Sequence, residues 1–225
     1  MKTAFAGETR ADSLWGGGVV RFNACLKKVR NVARGLTQRY GTTNIKKKLW
    51  DSEFSRGRWD CLDSMPDDCV YEHVERYANH GSILDLGCGP GTTGTELAAD
   101  AYARYTGVDI SAVAVEKARH RAEEHHRADK NSYFQEDIFN YKPNQQHDVI
   151  LFGDSIYYVP RRLILSMLNR YSRYLNVDGV FIARIYGRKY QNILGIIENN
   201  FHVVEKHIYG NEVFVLVFHA APRAS

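Results

Sequence analysis

The sequence predicts an α/β protein built on one mixed sheet of seven strands, with a basic helical segment ahead of it. Three observations carry that expectation. From Gly81 onward, strand-like and helix-like apolar patterns alternate, the signature of a parallel sheet covered by helices on both faces. The last two strand-like runs are separated only by about Tyr209-Gly210-Asn211, too short for a crossover, so they must pair as an antiparallel hairpin. At 225 residues and 44% hydrophobic composition the chain has room for one well-buried core plus a modest appendage, which excludes wholesale disorder.

Taken in order, residues 1–20 contain Gly16-Gly17-Gly18 and little apolar periodicity, and read as a flexible tail. From Phe22 to Tyr40, Leu26, Val29, Val32 and Ala33 recur at near-helical spacing among Lys27, Lys28, Arg30, Arg34 and Arg39, predicting a basic amphipathic helix. Gly41-Thr42-Thr43-Asn44 breaks it. Residues 45–60 then carry Trp50, Phe54 and Trp59 among five basic side chains, and rings of that size must be covered by something. Asp63 or Ser64, then Pro66, Asp67 and Asp68, give the start signal of a helix running to about Asn79. Strands are expected near 82–87, 104–109, 132–137, 148–153, 179–186, 201–208 and 212–220, and helices near 92–101, 112–126, 161–175 and 188–200.

Charge divides the chain. Residues 1–60 hold 13 Lys+Arg against 5 Asp+Glu, a net +8, and the remainder is net −4. A basic leader can attract an anionic partner by its field or simply stay solvated. The longest apolar run, Val213 to Phe218, is six residues, far short of a membrane span, and the first fifteen residues lack the apolar core of a secretory signal, so a cytoplasmic protein is expected. Cys25, Cys61, Cys69 and Cys88 match neither a zinc pattern nor a disulfide scaffold, and the histidines show no HxH or Hx3H spacing, so no metal site is expected.

The sharpest motif is Ile83-Leu84-Asp85-Leu86-Gly87-Cys88-Gly89-Pro90-Gly91, a buried strand running into a glycine-rich turn and a helix opened by Thr92 and Thr93. Alternate glycines would leave the backbone bare where a ligand approaches, beside the free N–H groups of the helix start. Gly89-Pro90-Gly91-Thr92-Thr93-Gly94 also fits G-x-G-x-x-G, so the glycines alone do not choose between a dinucleotide and another nucleoside. Asp85 weighs against a diphosphate, which it would repel, and favours an ammonium group. About twenty residues on, Asp109 ends the second strand where a carboxylate binds both ribose hydroxyls, and Asp137-Ile138 after the third offers an acceptor and an apolar wall for a purine.

With those residues in view, positions 82–186 resemble a class I S-adenosylmethionine-dependent methyltransferase. The likeness covers Asp85-x-Gly87-x-Gly89-x-Gly91, the acid Asp109, the Asp137-Ile138 pair, the fourth strand from Asp148 to Asp154, and Leu175-Asn176-Val177-Asp178-Gly179-Val180, where the family commonly has Pro-Gly-Gly. The resemblance implies a Rossmann-like seven-stranded sheet with a terminal antiparallel hairpin over 81–225, a helical lid over 21–80, and S-adenosyl-L-methionine as cofactor. It further implies cofactor contacts from Trp59, Asp85, Gly87, Cys88, Gly89, Pro90, Gly91, Asp109, Ile110, Asp137, Ile138 and Phe152. On this reading the cofactor site is made by strand ends after residue 82, and deleting residues 1–40 leaves cofactor affinity nearly intact. Leu49 to Asp60 also resembles the Trp-x-x-Glu-Phe/Tyr-x-x-Gly-x-Trp-Asp stretch of bacterial small-molecule methyltransferases, some of which act on sugars or glycolipids.

Methyl transfer needs alignment, plus proton removal where the nucleophile carries a proton. Asp154, Tyr157 and Tyr158, after the fourth strand, are the candidate catalytic residues: Asp154 to accept a proton or orient an amine, the tyrosines to bond a hydroxyl or line the pocket. No Asn-Pro-Pro-Tyr motif of exocyclic amino-methylases is present. The expected acceptor is an oxygen or nitrogen of a small molecule such as a sugar or natural-product intermediate. The alternative is RNA or protein held by the basic leader, with Lys46-Lys47-Lys48 beside Trp50.

Overall fold

A computed structural model describes residues 32–60, 68–210 and 212–220. The expected tail, the helix start near residue 63, Cys25 and Cys61 lie outside them. The elements are α1 (residues 32–40), α2 (Thr43–Ser55), α3 (Val70–Ala78), β1 (Ser82–Leu86), α4 (Thr92–Glu96), β2 (Arg104–Asp109), α5 (Ala112–Glu124), β3 (Asn131–Gln135), β4 (His147–Gly153), α6 (Arg161–Tyr171), β5 (Leu175–Tyr186), α7 (Gln191–Asn200), β6 (His202–Tyr209) and β7 (Val213–His219).

The strands form one sheet in the order β3-β2-β1-β4-β5-β7-β6. The first five run parallel, and β7 pairs antiparallel with both β5 and β6. Both faces are covered, so the central strands read as apolar runs: all five residues of β1 are buried. Side chains alternate between two cores. Leu84 and Leu86 pack with Phe152, Phe181 and the inner faces of α6 and α7. Ile83 packs with Val74 of α3 and Val115 of α5 on the other face. Strand order reverses between β1 and β4, which opens a crevice at their C-terminal ends.

Several boundaries depart from the sequence expectation. Helix α4 stops at Glu96 rather than near 101, because Leu97 turns extended (ψ 143°) and is fully buried, and the Ala98 N–H donates to Glu75 Oε1 on α3 at 2.6 Å. Strand β5 begins four residues early, with Leu175 pairing His147 across a register shift. Strand β3 ends at Gln135, before Asp137, whose Oδ1 accepts the Phe139 N–H at 3.0 Å and turns the chain.

The helical break at Gly41 is observed, and α2 follows from Thr43. Helices α1 and α2 dock on the strand ends through polar contacts. Ser111 Oγ donates to Asp51 Oδ1 at 2.7 Å, Lys47 Nζ to Gln135 Oε1 at 3.2 Å, and Arg39 Nη2 to the Tyr157 carbonyl at 2.6 Å. Buried Glu53 ties this segment together, paired with Arg34 at 3.0 Å and accepting from the Trp59 indole N–H at 3.0 Å. Among the described residues no helix is long and apolar enough to cross a membrane, and Cys69 and Cys88 are free thiols.

Candidate active site

The crevice opens into a cavity of about 470 Å³, within the usual range for a small-molecule site. Its first end is made by the tips of β1, β2 and β3. Gly87, Gly89, Asp109, Ile110, Asp137 and Ile138 line it, all expected from the sequence. Its second end follows β4 and the edge of β5, with Gly153, Asp154, Tyr157, Tyr158, Arg184 and Tyr186. Over both lie Gln38 of α1 and Lys46, Trp50 and Phe54 of α2, with Trp59 just beyond.

Asp109 is held by the loop it faces: its Oδ2 accepts the Gly89 N–H at 3.0 Å and its Oδ1 the Ser111 N–H at 2.8 Å. Burial pushes its pKa up to about 6, and these backbone donors oppose the rise. At pH 7 it is an acceptor-only anion with lone pairs to spare, suited to a diol. Asp137 accepts from Thr43 Oγ1 and Lys46 Nζ, each at 3.0 Å, so the second helix reaches the same strand end.

The glycines divide their duties. A Cβ on Gly89 would meet only the Phe54 ring edge, at 3.8 Å, and that bare backbone faces the cavity. Gly87 and Gly91 are instead packing requirements, because a Cβ there would strike Ser155 at 2.4 Å and Ala118 at 2.7 Å. Gly153 has nothing within 4 Å of its Cβ position and adds a second open floor.

Asp85, Cys88, Pro90, Gly91 and Phe152 are not among the lining residues. Asp85 follows Ile83 by two residues, so its carboxyl falls on the α3–α5 side beneath the loop, where the Tyr105 hydroxyl donates to Oδ2 at 2.5 Å and Oδ1 is buried without a partner. Burial pushes its pKa up to about 7. Cys88 packs in that same core, its thiol raised by burial, and Phe152 lies in the opposite core between Tyr171 and Phe181.

At the second end Asp154 adopts a left-handed backbone (φ 52°), unusual for a non-glycine residue. Its Oδ2 pairs with Arg184 Nη1, and its Oδ1 accepts the Tyr186 N–H at 2.9 Å. Arg184 also pairs with half-buried Asp68 at 2.9 Å. Tyr157 stacks on Tyr190 at 4.3 Å, and Tyr158 stands edge-on to Trp50 at 4.9 Å. Burial raises both phenols, Tyr158 to about 12, so they remain protonated donors at neutral pH.

Sequence reasoning missed Gln38, Phe139, Val159, Arg184 and Tyr186, and gave Lys46 only a role toward RNA. Arg184 had a signal, as the lone charge in the apolar run from Val180 to Ile185, where an unpaired cation would not be buried. Gln38 carried none. Helices α1 and α2 thus supply lining residues, Gln38, Lys46, Trp50 and Phe54, beside those of the strand ends.

Residues 83–179, from β1 into β5, match the model of a methyltransferase domain. Over this stretch the chain is similar to S-adenosylmethionine-dependent methyltransferases. A ubiquinone biosynthesis O-methyltransferase of Rickettsia canadensis is 26% identical over 188 residues, 77% of each chain. In fold, the chain is similar to the N-methyltransferase NodS from Bradyrhizobium japonicum in complex with S-adenosyl-L-homocysteine, at TM-score 0.63 and 16% identity over 77% of this chain and 97% of that one. Magnesium protoporphyrin IX methyltransferase from Synechocystis, with bound S-adenosylmethionine, gives TM-score 0.60 at 18% identity over 79% and 97%. The residues of the site fit S-adenosylmethionine: the bare floor at Gly89, the anion at Asp109 and the aromatic cover are the surfaces a sulfonium nucleoside needs.

Proposed function

We propose that the chain is a methyltransferase that moves the methyl group to an oxygen or nitrogen of a small molecule that enters at the β4–β5 end of the cavity. The observation that carries the reading is the shape of the site: one cavity of about 470 Å³ has strand-tip acids at one end and an aromatic, ion-paired chamber at the other, under α2. That volume suits a nucleoside and a compact acceptor. The similarity to a ubiquinone biosynthesis O-methyltransferase and to magnesium protoporphyrin IX methyltransferase supports a small-molecule acceptor.

When bound, S-adenosylmethionine supplies an electrophilic methyl carbon on a cationic sulfur. Asp109 accepts hydrogen bonds from the ribose hydroxyls, Asp137 and Ile138 hold the adenine, and the bare Gly89 backbone lets the amino-acid portion lie close. Asp85 acts from beneath the loop, setting Tyr105 and the local field rather than gripping the ammonium directly. Asp154 has both oxygens engaged, by Arg184 and the Tyr186 N–H, so it orients Arg184 and the acceptor rather than removing a proton. The Tyr157 and Tyr158 hydroxyls donate to the acceptor, and Trp50, Phe54 and Trp59 act as a lid that keeps water from the methyl group.

Two contacts weigh against the nucleic-acid alternative: Lys46 turns to Asp137 and Lys47 to Gln135, leaving Lys48 as the exposed member of the triplet. The test is incubation with labelled methyl donor and three acceptor pools: small hydroxylated and amino compounds, total RNA, and protein extract. Label in the small-molecule pool supports the reading, and label confined to RNA or protein overturns it.

A further inference from the structure

Far along the sheet from the strand tips, α3 and the edge strand β6 bring together a second set of chemically active side chains. Glu205, His207 and Tyr209 alternate along β6 and so share a face. His73, Arg76 and Tyr77 stand at i, i+3 and i+4 on α3 and face them. None of the six lines the methyl-transfer cavity.

One ligand atom each from His73, Glu205 and His207 lie within 4.8 Å of one another. Glu205 Oε2 is 3.1 Å from His73 Nδ1 and 3.3 Å from His207 Nε2. Those separations are close to the edge of a zinc tetrahedron, about 3.3 Å for bonds of about 2.0 Å.

The cluster already converges on a cation. Arg76 Nη2 sits 2.6 Å from Glu205 Oε2 and 3.0 Å from His73 Nδ1. The roles of the His73 nitrogens follow its tautomer; in the one that accepts from Arg76, Nδ1 presents its lone pair there and the Nε2 proton goes to the Tyr209 hydroxyl at 2.8 Å. A carboxylate oxygen and an imidazole lone pair thus point at one positive nitrogen, with the second imidazole beside them. The supporting contacts are those of a metal ligand set: Tyr209 fixes the His73 ring, and the Tyr77 hydroxyl donates to the other Glu205 oxygen at 2.8 Å. Arg76 is half-exposed and its guanidinium carbon lies 5.4 Å from the Tyr77 ring centroid, so it can leave the carboxylate for solvent and that ring.

We propose that His73 Nδ1, Glu205 Oε2 and His207 Nε2 form a binding site for one divalent transition-metal ion of the zinc class, which takes the place of the Arg76 guanidinium and ties α3 to β6. Imidazole and carboxylate suit such an ion, and a fourth position stays open to solvent beside half-exposed His207. The sequence argument against a metal rested on spacing within single segments, whereas these ligands come from a helix face and a strand face 132 residues apart.

The test uses the full chain, stripped with chelator, desalted and titrated with zinc chloride against a competing zinc indicator, in wild type and in His207→Ala and Arg76→Gln variants. Both substitutions are at half-exposed side chains, and retained S-adenosylhomocysteine binding reports that each variant is folded. One zinc per chain is expected in wild type, with affinity reduced about 100-fold or more in His207→Ala and raised about tenfold in Arg76→Gln, where the competing cation is gone. Zinc should raise the wild-type melting temperature and leave that of His207→Ala unchanged. Absence of stoichiometric zinc binding, equal affinity in wild type and His207→Ala, or weaker binding in Arg76→Gln would overturn the site.

Discussion

The two ends of the cavity are assembled by different routes. At the end made by β1, β2 and β3, the acids are held by backbone N–H groups of the turns that follow these strands: Ser111 and Gly89 on Asp109, Phe139 on Asp137. At the other end the partners come from across the chain. Arg184 of β5 joins Asp154 after β4 to Asp68 before α3, Arg39 of α1 holds the Tyr157 carbonyl, and Trp50 of α2 meets Tyr158. The first end rests mainly on backbone donors of the strand tips, with Thr43 and Lys46 of α2 added on Asp137, whereas the second exists only once the whole fold has closed. Damage to the first should therefore strike ligand affinity, and damage to the second should strike stability and acceptor handling together.

The largest effect is expected at Arg184. Arg184→Met leaves two carboxylates at the β4–β5 end without their shared cation and should destabilise the fold by about 3–5 kcal/mol, read by denaturant unfolding. Adding Asp154→Asn should return part of that loss; strictly additive effects would show that the pair is not coupled.

At the local end, Asp109→Asn should weaken S-adenosylhomocysteine binding by on the order of 100-fold with little change in melting temperature. Because the folded pKa of Asp109 is raised to about 6, the anion is lost as pH falls through that value. Wild-type affinity should then be flat above pH 6 and decline below it, and Asp109→Asn should show no such step in the same calorimetric series.

Asp85 separates the two roles within one strand. Its folded pKa, about 7, stands above the ordinary carboxylate value of 3.8, so the folded state binds the proton more tightly and stability is lost as pH rises between them. Asp85→Asn should stabilise the ligand-free fold at pH 8 by on the order of 2 kcal/mol, and the gain should fade as pH is lowered toward 4. Thermal melts at the two pH values check it, and a loss of stability at pH 8 contradicts the assignment. The smallest effect is expected for Trp50→Ala, about a tenfold rise in acceptor KM with a smaller change for the cofactor, from loss of the edge-on contact to Tyr158.

The same contrast explains what the sequence could disclose. Gly89, Asp109 and Asp137 were legible because a strand, a tight turn and a helix start force them to recur in order at strand ends. Asp85 belonged to that motif, yet its side chain points beneath the loop, and counting two residues from Ile83 along the strand already puts it there. Lys46 could not be read, since its meaning is a contact with Asp137 across 91 positions of sequence. The early stop of α4 is of the same kind: Glu96-Leu97-Ala98 has helical composition, and Glu75 of α3 overrides it by taking the Ala98 N–H.

The central claim is that α2 and the strand tips enclose one ligand between them. Hydrogen exchange of the full chain with and without S-adenosylhomocysteine tests it most directly. Slower exchange is predicted in the loop after β1, at the Asp109–Ser111 turn and through α2, with α7 and β6 unchanged. Protection limited to the loop, with α2 exchanging as fast as before, would contradict the account.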